Sequence, residues 1–462
     1  MKRIIYLLIC ISLLTLIFGT YLIKSDYTSN FSKKIKDNTP ESIKKILKNT
    51  LLYIPYSKRE IKNLNQTINE LSEKNNILTL ENYKNKNIIE NGKFKHENFD
   101  SIDYNFNSVV LPFFNEENLF GNKKSGYIEN YKDKIVIVFT SGKIIFLDKK
   151  LFLEDKILEY KVIENNIEDN FFDQKIKWTG IKDIKLDGKN LYLSITKKVK
   201  QNCYNTSLYK TALDEIILNF KKVFEPEECF SLDRYIKAFK YFNGYQNGGR
   251  ITSDKNNIYL TIGDYNYWEE PQSIKSFAGK IISIDKNNNK VEIISLGHRN
   301  QQGLQFLENQ NLLISTEHGP KGGDEINLIN LNDKKPLNFG WPIASYGEHY
   351  DVVPINSYTK KFAPLLKSHS KYGFEEPIKY FEKSIGISEI IKNYQKPNRF
   401  FITSLKDKKI YEIQFKNNSE FKKIVSEIEI NERIRDIIYD FKNHCYYIYG
   451  ESTPKLISMC KK

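Results

Sequence analysis

From about residue 107 to its carboxyl end the chain repeats one form: a short apolar strand, a turn of Asp, Asn, Gly or Lys, and a second strand rich in Tyr and Ile. IVIVFTSGKIIFLDKK opens the series. GIKDIKLDGKNLYLSIT, GRITSDKNNIYLTIGD, FAGKIISIDKNNNKVEII, RFFITSLKDKKIYEIQF and RDIIYDFKNHCYYIYGE continue it. Turn formers at the centre of each unit, flanked by β-branched and aromatic residues, specify hairpins. One hairpin buries too little apolar surface to stand alone. Recurrence over about 340 residues therefore argues for an all-β fold of blades stacked around an axis, not a two-sheet sandwich. The 30 Tyr and 29 Phe suit strand faces of this kind. Spacing alone does not set the number of blades.

The segment before the repeats is different. Lys2 and Arg3 precede an apolar run from Ile4 to Ile23. At ~1.5 Å per residue such a helix spans about 30 Å, the thickness of a bilayer core. No small-residue cleavage site follows, so residues 1–25 read as an uncleaved signal anchor with its basic end inside and the rest of the chain exported. A cleaved signal peptide is the alternative. Residues 26–100 are polar and rich in Lys and Asn, with helical spacing. Ile61, Leu64, Ile68, Leu71 and Leu78 occupy a and d positions of a heptad, with Asn75 at an a position. The expectation is a linker that either forms an oligomeric stalk through residues 61–80 or spaces the propeller, over 101–462, from the membrane.

The formal charge is +14. The excess is scattered Lys, without the Arg-rich cluster or basic helix face that grips a phosphate backbone, so nucleic acid is not an expected partner. No glycine-rich turn joins a strand to a helix in a βαβ setting, which argues against a nucleotide-using dehydrogenase, and there is no nucleophile elbow. Outside the apolar run stand Cys203, Cys229, Cys445 and Cys460. Four cysteines in an exported domain allow three disulfide connectivities. Cys445 and Cys460 flank one expected hairpin and Cys203 and Cys229 another, so Cys203–Cys229 and Cys445–Cys460 are the expected pairs. Neither pair has zinc-site spacing.

Polar residues of the kind found at sites concentrate between Gly297 and Tyr350: GHRNQQGL, then EHGPKGGDEINLI, then NFGWPIASYG. Glycine and proline place Arg299, Asn300, Glu317, His318, Asp324 and Glu325 on tight loops at strand ends, where rigid scaffolds carry chemistry. In these three motifs, in this order, the chain resembles the glucose/sorbosone dehydrogenase family. The resemblance runs from about Gly180 to Ser452 and, more faintly, back to about Asn107.

The resemblance implies a six-bladed β-propeller that binds pyrroloquinoline quinone and calcium at its axis and oxidises an aldose or related alcohol. By matching positions it implies that Arg299, Asn300 and His318 neighbour the quinone. Lys406, Arg433 and Arg435 would hold its carboxylates. The carbonyls of Gly319 and Pro320 would face calcium, and Asp324 would contact the sugar. Such a tricarboxylate calls for fixed cations with forked donors, and arginine's planar fork is not replaceable by lysine. Arg250 belongs to the same set of motifs.

One position departs from the family pattern. In GYQNGGRITSD, Gln246 stands where the resemblance places the histidine that takes the proton of the sugar hydroxyl. A carboxamide orients a hydroxyl but does not accept its proton near neutral pH. His298, His318 and His349 lie in or beside the site loops as possible substitutes. Two readings follow: a membrane-anchored quinoprotein dehydrogenase with an altered base, or a non-catalytic propeller that binds a glycan, a quinone or a protein partner.

Overall fold

The computed structural model describes residues 99–100, 103–111, 125–154, 161–167, 179–231, 245–416 and 420–462. The expected anchor helix, the heptad segment and nearly all of the linker lie outside the described residues. Among the described residues no helix is long and apolar enough to cross a membrane.

Six antiparallel sheets form the blades of a propeller. Their innermost strands are Gly126–Tyr131 (blade I), Gly180–Asp187 (II), Gly248–Ser253 (III), Gln301–Leu307 (IV), Ile387–Lys392 (V) and Ile434–Asp440 (VI). Each innermost strand neighbours the next, and blade VI neighbours blade I, so the ring is complete. It is closed by chain ends far apart in sequence. Tyr104–Val110 pairs antiparallel with Lys455–Lys461, as the outer part of blade VI. The hairpins expected from the repeats are present, with Gly142 and Gly188 at positive φ in their turns.

Six hydrophobic clusters hold the ring together, one at each junction between neighbouring blades. Tyr127, Val136 and Val138 of blade I meet Ile181, Leu191 and Leu193 of blade II, and Tyr259 and Ile281 of blade III meet Leu304 and Leu313 of blade IV. The other four junctions follow the same scheme. Both faces of a blade are therefore covered, which is why runs such as Ile135 to Phe139 are apolar without alternation and wholly buried. Truncating one such side chain to Ala costs about 2–5 kcal/mol.

Both expected disulfides form. Cys203–Cys229 ties the third strand of blade II to the segment that follows the blade. Cys445 and Cys460 are direct cross-strand partners in blade VI.

Five of the six inner strands carry a bulge near their start. Lys182, Gln302 and Arg435 are the single unpaired residues in blades II, IV and VI. Blades III and V leave two residues unpaired, Gly249 with Arg250 and Ser388 with Glu389. A bulge breaks the alternation of a strand and re-aims the side chains it carries. Several of these seven strand-start positions line or support the candidate site.

Candidate active site

The residues singled out in sequence are joined by contacts around one end of the axis. Arg299 Nη1 donates to the carbonyls of His318 (3.0 Å) and Gly319 (2.8 Å). The amide of Gly319 donates to Asp324 Oδ1 at 3.1 Å, and Ser384 Oγ donates to both Asp324 oxygens at 3.0 Å. Lys406 Nζ donates to the Ser384 carbonyl at 2.9 Å. Arg433 Nη1 donates to the carbonyl of Leu405, beside Lys406, at 3.2 Å.

The circuit closes through a carboxylate. Arg433 Nε donates to Glu451 Oε1 (3.1 Å), and Arg435 Nε to Glu451 Oε2 (2.8 Å). Arg435 Nη1 donates to Gln302 Oε1 at 2.9 Å, and Gln302 Nε2 donates to Asn300 Oδ1 at 3.1 Å, next in sequence to Arg299. Asn300 Oδ1 also takes the amide of Gly248, which brings in the Gln246 loop. Burial pushes the Glu451 carboxyl up, but Arg435 and Arg433 outweigh it and the net shift is downward, so Glu451 stays ionised. Two guanidinium groups share this one carboxylate, so the cluster keeps an excess of positive charge. Arg433 has 43% of its side chain exposed and Lys406 is exposed.

Gln246 adopts a left-handed backbone, φ 60°. Its Nε2 donates to Asn266 Oδ1 at 2.6 Å, while its buried Oε1 has no protein partner. The loop is held close to the strand end: a Cβ on Gly263 would come within 2.0 Å of the Gln246 carbonyl, so glycine is required there. Asp264, which sequence reasoning missed, lies just below. Its Oδ2 accepts Trp341 Nε1 at 2.7 Å and its Oδ1 the amide of Asn266 at 2.8 Å. Burial raises its carboxyl to about 7 against the opposing pull of Arg299. Arg299 in turn lies 5.3 Å from the centre of the Trp341 ring. The only signal in sequence was a Gly-Asp pair at the end of a strand.

Several expectations need correcting. Asp324 does not face a sugar. It is fully buried, and besides Ser384 and Gly319 it accepts the amides of Ile385 (3.0 Å), Gly386 (2.9 Å) and Ile387 (3.2 Å), so it clamps the loop entering blade V. His318 gives Nε2 to the carbonyl of Ile387 at 2.5 Å, and burial lowers its pKa despite Asp324, so it is a neutral bridge between blades IV and V. His298 is fully buried between Ser295 Oγ and Glu317 Oε2, each at 2.8 Å, and His349 bonds the carbonyl of Ala363 at 2.8 Å. Each of the three histidines is thus hydrogen-bonded to protein groups.

The carbonyls of Gly319 and Pro320 already carry protein donors, Arg299 and the Tyr350 hydroxyl (2.8 Å). Among the described residues no cluster of three or more His, Cys, Asp or Glu is arranged to hold a metal. Arg250 is the centre of the propeller. From blade III it donates to Asp183 of blade II (3.0 Å) and Asp436 of blade VI (3.1 Å) and pairs with Glu389 of blade V (3.0 Å). It also donates to the Gln302 carbonyl of blade IV and lies 5.1 Å from the ring centre of Tyr127 in blade I. One side chain thus touches all five other blades.

A family model described as Glucose / Sorbosone dehydrogenase matches residues 174–458. The aldose sugar dehydrogenase of Escherichia coli strain K12 is 28% identical over 241 residues, 48% of this chain and 61% of that protein. The match thus spans less than two thirds of that relative. The apo crystal structure of a soluble aldose sugar dehydrogenase from Escherichia coli superposes with TM-score 0.60 at 20% identity, covering 77% of this chain and 100% of the other. A quinone-bound aldose sugar dehydrogenase from Streptomyces coelicolor gives TM-score 0.54 at 16% identity, with coverage of 77% and 98%. At these identities the superpositions establish the propeller fold.

Proposed function

The chain belongs to the glucose/sorbosone dehydrogenase family, and from that membership we propose a membrane-anchored, extracytoplasmic quinoprotein that oxidises an aldose or related alcohol with pyrroloquinoline quinone and calcium. The observation that carries this reading is the closed circuit joining Arg299, Asn300, Lys406, Arg433 and Arg435, with more positive charge than its one shared carboxylate offsets.

The residues fit a planar polycarboxylate. Lys406 and Arg433 are accessible, and arginine forks match carboxylate geometry. They fit calcium only in company. Two carbonyl oxygens fall well short of the six to eight that calcium takes, so a bound anion and water would have to complete the shell. When bound, the quinone supplies the acceptor for a hydride equivalent, and calcium polarises it.

The chain's own part is orientation. Gln246 Oε1, buried and unpartnered, accepts a hydrogen bond from a ligand hydroxyl and holds it in place, with Asn266 fixing the carboxamide. It does not take the proton, and losing a positioned base typically costs ~10²–10⁴ in rate. That residue is the specific support for a second reading, a propeller that binds a glycan, quinone or protein at this mouth without catalysis. The two disulfides support export, since such bonds persist in oxidising compartments.

Titrating the purified protein with the quinone and calcium tests both readings. A rise in melting temperature together with aldose-dependent dye reduction supports the dehydrogenase. A rise without dye reduction leaves the binding protein. No rise removes the dehydrogenase and the quinone-binding form of the second reading.

A further inference from the structure

Blade IV ends in a three-residue outer strand, Lys379–Phe381, while the outer strands of blade V, Lys409–Lys416 and Glu420–Glu429, are long. Between these outer strands, and not at the axial mouth, lies a groove of about 570 Å³, a size common among small-molecule sites. Ile378, Tyr380, Phe381, Ile385, Tyr411 and Ile424 form its apolar walls. The Tyr380 ring is fixed by parallel stacking on Tyr346, 3.8 Å between centres, and the Tyr411 hydroxyl is committed to Asp407 at 2.7 Å. No Asn, Gln, Ser or Thr lines the groove, so it lacks the neutral donors and acceptors that an array of sugar hydroxyls needs.

Two lysines line the same groove. The Lys379 ammonium lies 5.7, 5.5 and 5.3 Å from the ring centres of Tyr380, Phe381 and Phe421, a cation held against aromatic faces. Lys383 is exposed. Among the described residues no carboxylate forms an ion pair with either lysine. The acids of the neighbouring strand, Glu427 and Glu429, pair with Lys409 at 3.0 and 2.8 Å. Glu382 also lines the groove, but it is exposed and keeps its own hydration. Two cations against one hydrated carboxylate leave the groove with an excess of positive charge beside apolar walls.

We propose that this groove is a second binding site, for a small planar aromatic anion such as an aryl carboxylate or sulfonate. The ring of the ligand fills the apolar walls. Its anionic group meets Lys379, with Lys383 as the outer cation. The site goes beyond the axial reading and does not depend on it.

The test is calorimetric titration of the full-length protein with naphthalenesulfonate, and one molecule bound per chain is expected. Lys379→Gln should weaken binding about tenfold, one lost charge-assisted contact. Lys383→Gln should weaken it about threefold, because an exposed charge contributes less. Lys379→Arg should bind nearly as the parent does, since it keeps a cation over the rings. Ile424→Glu should abolish binding by setting a carboxylate in the wall, at a position exposed enough to accept it in the folded chain. Methanesulfonate, the same charge without a ring, should not bind. Absence of binding, equal affinity for methanesulfonate, or unchanged affinity in both Lys379→Gln and Ile424→Glu would overturn the proposal. So would binding lost in Arg433→Gln and kept in Lys379→Gln, which would place the ligand at the mouth.

Discussion

Gln246 Nε2 donates to Asn266 Oδ1 at 2.6 Å, and this bond fixes the orientation of the carboxamide in the loop before blade III. One N–H of the carboxamide is committed there, and its buried oxygen, which has no protein partner, is an acceptor without a proton-accepting function at neutral pH. The backbone at this point is left-handed, a conformation set by the loop and not by the side chain.

Replacing that side chain should therefore change chemistry more than structure. Gln246→His is expected to raise quinone-dependent turnover of aldoses by ~10²–10⁴, the worth of a positioned general base. Melting temperature should change little. Dye reduction on the reconstituted protein measures the gain, and an unchanged rate would show that more than the base is missing.

Asp324 organises the loops that hold the cations. Asp324→Asn removes a charge that several backbone amides address and forces an amide donor against them. A loss of about 3 kcal/mol in unfolding free energy is expected from urea denaturation, in line with hydrogen bonds to a buried charged group. Quinone affinity should fall too, although Asp324 touches no ligand, because the Ser384 carbonyl that receives Lys406 is positioned through it.

Arg250 is the axle. Arg250→Met leaves Asp183, Glu389 and Asp436 buried together without their shared cation. Breaking a single buried pair typically costs 3–5 kcal/mol, roughly the scale on which one partner's removal is felt. The variant should unfold at lower temperature and recover part of the loss on acidification, as the stranded carboxyls take protons. A melting temperature equal to the parent's would contradict the central place of Arg250.

Asp264 makes stability depend on pH in a stated direction. Its folded pKa, about 7, lies above the unfolded carboxyl's 3.8. The folded state therefore holds the proton more tightly. This contribution is fully present below about pH 4 and is lost as the pH rises to 7. In Asp264→Asn that downward slope should disappear, and urea midpoints collected between pH 4 and 8 would reveal it. A slope identical to the parent's would place its origin elsewhere, for instance in Glu389, also raised to about 7 by burial.

The propeller was legible because its information is local. Each hairpin carries its own turn residues, and each strand shows by composition whether it is covered. Cys445–Cys460 was readable for the same reason, as both residues flank a single hairpin. Motif order brought Arg299, Lys406, Arg433 and Arg435 into one proposal, and contacts across three blades join them. What each polar side chain touches was not legible. Asp324 read as a ligand contact until the amides of the next blade filled it, and the histidines near the loops proved to be hydrogen-bonded bridges.

The amino-acid sequence by itself determined that the chain forms covered hairpins, that they stack, and which residue types gather at strand starts, since turn preference and hydrophobic pattern act over a few residues. Only the tertiary structure decided which carboxylates meet which cations. Those partners come from different blades, and burial acts on a charge according to everything that surrounds it in space.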